Sequence, residues 1–211
     1  MEKGDLFIIS APSGAGKSTL CNRLISMVPN IAFSVSHTTR PPRQGEKNGR
    51  DYFFISQEQF TELVAQDAFL EWARVHGHMY GTSRKHVMEL LSNGIDVILD
   101  IDVQGATQVK AKFPSAVTIF ILPPSWDILE ERLMKRKSED RHAIAVRLRN
   151  ALDEMEEVAN YEYTVVNDRL EDALDELISI VTATRCLTPR VLASKVDMAK
   201  LRPHPDSWFL T

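Results

Sequence analysis

Only two cysteines, Cys21 and Cys186, occur in the 211-residue sequence, and neither sits in a metal-ligand spacing. That scarcity argues against a disulfide-stapled secreted framework or a cysteine zinc site, and two reduced thiols in a cytoplasmic protein are the expectation. Long apolar runs are also missing. The N-terminal run "LFIIS" has 5 residues, too few for the core of a signal peptide or for a membrane span. Nor is there a surplus of positive charge. Lys and Arg number 25 against 29 Asp and Glu, a net charge of −4, so nothing global draws the chain to nucleic acid or an anionic membrane, and any basic site must be local. Repeats and low-complexity segments are absent.

What is present suits one globular domain with a small insertion: 44% hydrophobic and 26% charged residues in a length that can bury a core. Apolar runs alternate with helical periods. Leu6–Ser10 reads as a buried strand and Gly16–Met27 as the helix after it. A block from Ile31 to Gly81 then breaks the rhythm with the strand-like pieces "FSVSHTT", "DYFFIS" and "FLEWARV". Within it, "SQEQFTELVAQD" carries the Ser56/Gln59 spacing of a capping box. The rhythm resumes with helix "SRKHVMELLSNG", strand "IDVILDID", helix "QGATQVKAKF" and strand "AVTIFIL". Charged helices at Trp126–Lys137 and Arg141–Val158 follow, then strand "YTVVN" and helix "EDALDELISIVTATR". Such alternation implies an α/β fold, a parallel sheet covered by helices. Thr188–Thr211 is proline-punctuated and is assigned neither helix nor role.

Chemistry enters at "SAPSGAGKST". A G-K-[ST] loop is informative only between a strand and a helix, and this one lies there. Backbone N–H groups of Ser13, Gly14, Ala15, Gly16, Lys17 and Ser18, with Thr19 next to them, can cradle phosphates at a helix N-terminus. Lys17 can reach the β- and γ-phosphates and the Ser18 hydroxyl can hold Mg²⁺. Ala11 replaces the usual first glycine at the strand exit, where a methyl is tolerable if φ is negative. A carboxylate at the end of a neighbouring strand normally completes the metal site. Asp100 and Asp102, two apart in "VILDID", could both face the cleft, or one could be structural.

"DVQG" matches the D-x-x-G of GTPases, but no N-K-x-D guanine loop follows. The arginines point instead to phosphoryl transfer between two bound nucleotides, because guanidinium forks match the charge spread over a transferring phosphate. Arg132 and Arg136 stand four apart on one helical face and Arg147 follows, either as a closing lid or as a solvated, ion-paired helix pair. A second basic cluster, Arg40, Arg43 and Arg50 with Tyr52, lies in "HTTRPPRQGEKNGRDY", either as an acceptor-phosphate site or as an exposed basic loop.

Together, "SAPSGAGKST", "FSVSHTTRPPRQGEKNGRDYFF", "FLEWA", "YGTS" and "ILDIDVQGA" resemble the guanylate kinases, the ATP:GMP phosphotransferases, in order from about Leu6 to Arg185. The resemblance implies a P-loop NTPase-type sheet flanked by helices, a small inserted GMP-binding α+β subdomain and a helical lid. Residues 1–187 would be the kinase domain, with core segments 1–35 and 82–187, insertion 36–81 and lid 125–158; 188–211 is an extension. The implied reaction is MgATP + GMP ⇌ ADP + GDP, with dGMP as a plausible acceptor. Mg²⁺ bound by Ser18 and Asp100 is the implied cofactor, ATP and GMP are the implied partners, and no nucleic acid or membrane is involved. No oligomeric state is implied.

By matching position, Ser36, Arg40, Arg43, Tyr52, Glu71, Tyr80, Thr82, Asp100 and Asp102 would bind GMP. Glu71 would accept from guanine N1–H and the 2-amino group, and Ser36 would meet O6. A polar reader of this kind rejects the wrong base by ~10⁴. Lys17, Arg43, Arg136 and Arg147 would serve transfer, while Arg132 and Asn167 would complete the ATP site, with Asn167 beside the adenine. Loss of a key arginine should cost ~3–4 kcal/mol of barrier. The lid tip "KSEDRH" departs from the family's glycine-containing turn. Related domains without activity bind phosphorylated partners, but this chain keeps Lys17, Ser18, Arg136 and Arg147.

Overall fold

The computed structural model describes residues 3–75, 77–135, 141–194, 196–197 and 200–201. The apolar run Leu6–Ser10 is buried along its whole length and forms strand β1. Helix α1 (Lys17–Met27) and strand β2 (Ile31–Phe33) follow. The next block holds β3 (His37–Thr38), β4 (Phe53–Phe54), α2 (Gln57–Ala65), β5 (Phe69–Val75) and β6 (His78–Ser83). Then come α3 (Arg84–Ser92), β7 (Asp96–Asp100), α4 (Val103–Lys112), β8 (Val117–Leu122), α5 (Trp126–Met134) and α6 (Arg141–Glu156). A 3₁₀ turn (Glu157–Asn160), β9 (Tyr163–Val166), α7 (Leu170–Arg185) and α8 (Thr188–Ser194) complete the order.

Five strands form a parallel sheet in the order β2-β7-β1-β8-β9. Strand side chains alternate between faces, and both faces are covered. Phe7 and Ile9 pack with Leu20, Leu24, Leu174 and Leu177 of α1 and α7. Leu6 and Ile8 pack with Val87, Leu91 and Val109 of α3 and α4. This is the α/β sheet that the alternating pattern implies. A second sheet, β4-β3-β6-β5, carries α2. The α2 capping box forms as its spacing predicts: Gln59 N–H donates to Ser56 Oγ, and Ser56 N–H to Gln59 Oε1 at 2.9 Å. Phe60 of α2 stacks on Phe69 of β5, ring centres 4.6 Å apart. Helices α5 and α6 pack on each other through Leu129, Leu133 and Ala151.

Three sequence expectations change. "FSVSHTT" is not one strand: Ile31–Phe33 belongs to the main sheet and His37–Thr38 to the second, so residues 34–36 cross between them. Strand β7 stops at Asp100, and Asp102 caps α4 by accepting from Gly105 N–H at 2.8 Å. The strand alternation that would put both aspartates on one face therefore does not reach Asp102. Thirdly, the stretch after residue 187, to which the sequence assigned neither helix nor role, begins with α8. From residue 202 onward it lies outside the described residues.

A buried charge explains the position of α8. Asp96 is fully buried at the start of β7. Its carboxylate accepts from Arg185 Nε at 2.7 Å, Arg190 Nη2 at 3.2 Å and Asp5 N–H at 2.7 Å. Arg190 also pairs with Asp5. Arg190→Ala leaves a buried carboxylate with less compensation and should cost about 3 kcal/mol. For a chain of this size that lowers the thermal midpoint by about 6–12 °C in a calorimetric melt.

Candidate functional site

Strands β1 and β7 run side by side in parallel, with Ile9 opposite Asp100, so their carboxyl ends open into one crevice. The loop from Ala11 to Ser18 leaves β1 and enters α1 there. Its turn needs left-handed backbone at Gly14 (φ +97) and Gly16 (φ +94), the latter being the cap of α1. Ala11 is not among the described non-glycine residues with positive φ, Asn30 and Asp67, which meets the condition for tolerating a methyl at that position. The loop is braced on three sides. Ala15 N–H donates to Pro12 O at 3.1 Å, and Asn167 Nδ2 donates to Ala15 O at 2.7 Å. A Cβ on Gly14 would stand 3.0 Å from Leu129 of α5.

Lys17 Nζ reaches Asp100 Oδ1 at 2.6 Å and Ile101 O at 3.1 Å. The loop lines a cavity of about 280 Å³ that includes Ser13, Gly14, Lys17, Ser18 and Thr19. Two carboxylates share it: Asp102, and Glu154 of α6. Burial pushes Glu154 above the ordinary carboxylate range, while Lys17 and the N–H of Ser13 pull it down. Next to Lys17, burial pushes the Cys21 thiol up to about 12, so it stays protonated and is no nucleophile.

A second cavity, of about 450 Å³, meets the first at Ser18 and is bordered by Ser36, Glu46, Tyr52, Thr82 and Asp100. Beside it Arg40, itself buried, donates from Nε to Tyr80 Oη at 3.2 Å, from Nη1 to Pro41 O at 2.9 Å and from Nη2 to Glu46 Oε1 at 2.9 Å. Its guanidinium lies 5.4 Å from the Tyr52 ring centre. Glu46 also takes the N–H of Arg43 at 2.8 Å, and the Arg40 bond holds its carboxyl below the ordinary range. Arg43 itself is exposed. Glu71 is buried and accepts from the Thr82 hydroxyl at 2.5 Å. Burial raises its carboxyl above the ordinary range, against the lowering pull of Thr82.

The family model described as guanylate kinase matches residues 3–184. This chain belongs to the guanylate kinase family. A guanylate kinase of Neisseria gonorrhoeae is 51% identical over 196 residues, 93% of this chain and 96% of that one. The Thermotoga maritima guanylate kinase is 48% identical over 188 residues, 89% and 91% of the two chains. The crystal structure of the Anaplasma phagocytophilum guanylate kinase superposes with a TM-score of 0.72 at 34% identity, covering 90% of each chain.

Of the residues the sequence singled out, Ser13, Gly14, Gly16, Lys17, Ser18 and Thr19 line the loop cavity, and Ser36, Tyr52, Thr82 and Asp100 line the second. Ala15 is buried beneath the loop. Asp102 lines the loop cavity and stands close enough to Glu71 for its charge to raise that carboxyl. Arg132 gives one donor to the Asn167 carbonyl at 3.1 Å, and its Nη1 is buried with no partner among the described residues. Arg147 lies half-buried on α6. Arg136 and most of the lid tip, 137–140, lie outside the described residues. Sequence reasoning missed Glu46 and Glu154. Glu154 sits seven after Arg147 on one helix, two turns along the same face. Glu46 stands three residues beyond Arg43 in the basic segment.

Gly16 (φ +94) and Gly45 (φ +89) share a backbone conformation that side chains rarely adopt, but a Cβ on Gly16 would stand 2.3 Å from Asn167 Nδ2, whereas one on Gly45, outside the loop, would meet nothing within 4 Å. Gly16→Ala should weaken binding of a nucleoside triphosphate at least about tenfold. Gly45→Ala should leave it unchanged. Calorimetric titration of both variants checks this.

Proposed function

We infer that this chain transfers the γ-phosphoryl group of MgATP to GMP, and to dGMP, giving ADP and GDP or dGDP. One observation carries the reading: two cavities, one under the phosphate loop and one beside a buried arginine, meet at Ser18 on the carboxyl edge of a single sheet. In a chain of this family, that is room for a donor phosphate chain and an acceptor monophosphate end to end. The residues named below are our assignments.

Lys17 exchanges the Asp100 carboxylate for phosphate oxygens when ATP binds. Arg40, Tyr52 and Tyr80 hold the acceptor phosphate, with Arg43 joining them. Ser36, Thr82 and Glu71 read the base. Arg43, Arg136 and Arg147 neutralise the charge that spreads over the transferring group. No side-chain nucleophile is needed, because the acceptor is already a phosphate oxygen. Residues 125–158 act as a lid that excludes water, and 36–81 carry the acceptor. Nothing in the assigned set contacts a ribose 2′-hydroxyl, hence dGMP.

Mg²⁺ fits the donors present. The Ser18 hydroxyl and the Asp100 carboxylate border one cavity and offer hard oxygen ligands, and no cluster of three or more metal-ligating residues occurs among the described residues. Such a sparse set suits a cation that shares its coordination with nucleotide phosphates and water. When bound, Mg²⁺ would supply Lewis-acid neutralisation of the phosphate oxygens. No described helix is long and apolar enough to cross a membrane, and we place the activity in the cytoplasm.

The test is ADP formation from MgATP with GMP, AMP, dTMP or CMP, beside a Lys17→Ala control. Turnover with GMP is expected, falling about 10³-fold in the control. Preference for another acceptor would overturn the base assignment. GMP binding without turnover would favour a phosphate-reading interaction module. Acidity supplies a second check. Base reading needs Glu71 ionised, and burial raises its carboxyl. As pH falls through that raised value Glu71 takes a proton, so the KM for GMP should climb from a higher pH than an ordinary carboxylate would give. Glu71→Gln should raise the KM throughout and remove this climb, while the titration of GMP itself is common to both proteins.

A further inference from the structure

We propose that Asn167 is a positioning residue of the phosphate loop, acting through the Ala15–Gly16 peptide rather than through the adenine base. The proposal deepens the function above and rests on it for ATP as the donor. Asn167 follows β9, and its side chain crosses to a loop 152 positions earlier. Nδ2 donates to Ala15 O at 2.7 Å in a buried bond. The amide orientation follows from chemistry, because a carbonyl oxygen can only accept and the facing atom must be the NH₂.

Asn167 is itself held on both sides of its backbone. Its N–H donates to Leu122 O of β8 at 2.8 Å, and its carbonyl accepts from Arg132 Nη2 at 3.1 Å. The donor is therefore fixed to the sheet and to the first lid helix. A planar trans peptide points its C=O and the following N–H in opposite directions, and no cis bond occurs in the described chain. Turning Ala15 O onto Asn167 thus turns the Gly16 N–H away from it, to the side where Gly16 lines the cavity. The same contact accounts for Gly16, whose missing Cβ would lie 2.3 Å from Nδ2. Positive φ at Gly14 and Gly16 means this part of the loop lacks the restraint that side chains impose. Without the Asn167 donor, the Ala15 carbonyl loses its buried partner and the peptide can rotate to find another. The Gly16 N–H then leaves the cradle.

The consequence is independent of the base. Calorimetry with inorganic tripolyphosphate, which has no base, and with MgATP separates the two roles. In Asn167→Ala both dissociation constants should rise by the same factor, about tenfold for one buried hydrogen bond, while the KM for GMP stays within about twofold. Asn167→Asp keeps the volume and places an oxygen against Ala15 O, so it should be at least as damaging; it also serves if the alanine variant does not fold. Weakened ATP binding with unchanged tripolyphosphate binding would overturn the proposal in favour of an adenine contact. No change in either ligand would reduce Asn167 to packing. Because both readouts are binding, a wild-type protein that bound tripolyphosphate but failed to phosphorylate GMP would refute the function above while leaving this inference to the calorimetry.

Discussion

Ile9 pairs with Asp100 across β1 and β7, and the rest of the cleft depends on that register. It sets the end of β7 beside the loop that leaves β1, so the lysine that opens α1 meets a carboxylate at 2.6 Å. A shift of one residue would turn Asp100 to the other face of the sheet. The hydrophobic residues that hold the register are the ones that sandwich the sheet: Phe7 and Ile9 on one side, Leu6 and Ile8 on the other. Packing far from any ligand therefore sets where the charges stand.

Those charges come as satisfied pairs. Lys17 lies on Asp100 and Arg40 on Glu46. Two of the cations assigned to phosphate, Lys17 and Arg40, thus already carry a carboxylate. A buried guanidinium such as Arg40 needs partners in the empty protein as much as in a loaded one. Glu46, Tyr80 and the Pro41 carbonyl provide them.

Much of this was legible in the sequence, and the legible part is local. β1 shows in an unbroken apolar run, the α2 cap in a three-residue spacing, and the phosphate loop in consecutive residues whose chemistry needs no distant partner. The pocket residues Ser36 and Thr82 were placed by family resemblance, and Tyr52 also by the basic segment it shares with Arg40 and Arg43. What stayed hidden depends on where the chain returns. No periodicity in "VVND" says that Asn167 will meet Ala15, or in the α6 sequence that Glu154 will line the loop cavity. The break in "FSVSHTT" was invisible because both halves have strand-like composition and only pairing partners distinguish them. Asp102 lies two residues past the end of β7, so strand alternation does not place it, yet it still lines the loop cavity. The helix after residue 187 was missed because its seven residues give too short a period to read, and its anchor is a carboxylate on a distant strand.

That anchor also bears on how the molecule comes apart. Asp5 and Arg190, 185 positions apart, converge with Arg185 on one carboxylate that has no access to water. Terminal segments usually fray alone, at little free-energy cost. Here neither the segment entering β1 nor the segment leaving α7 can peel away without stripping compensation from the same buried ion. Opening one end weakens the hold on the other, so the two segments form a single cooperative unit. Their amide protons would then exchange with solvent together, at a free energy closer to that of the sheet than to that of a loose tail.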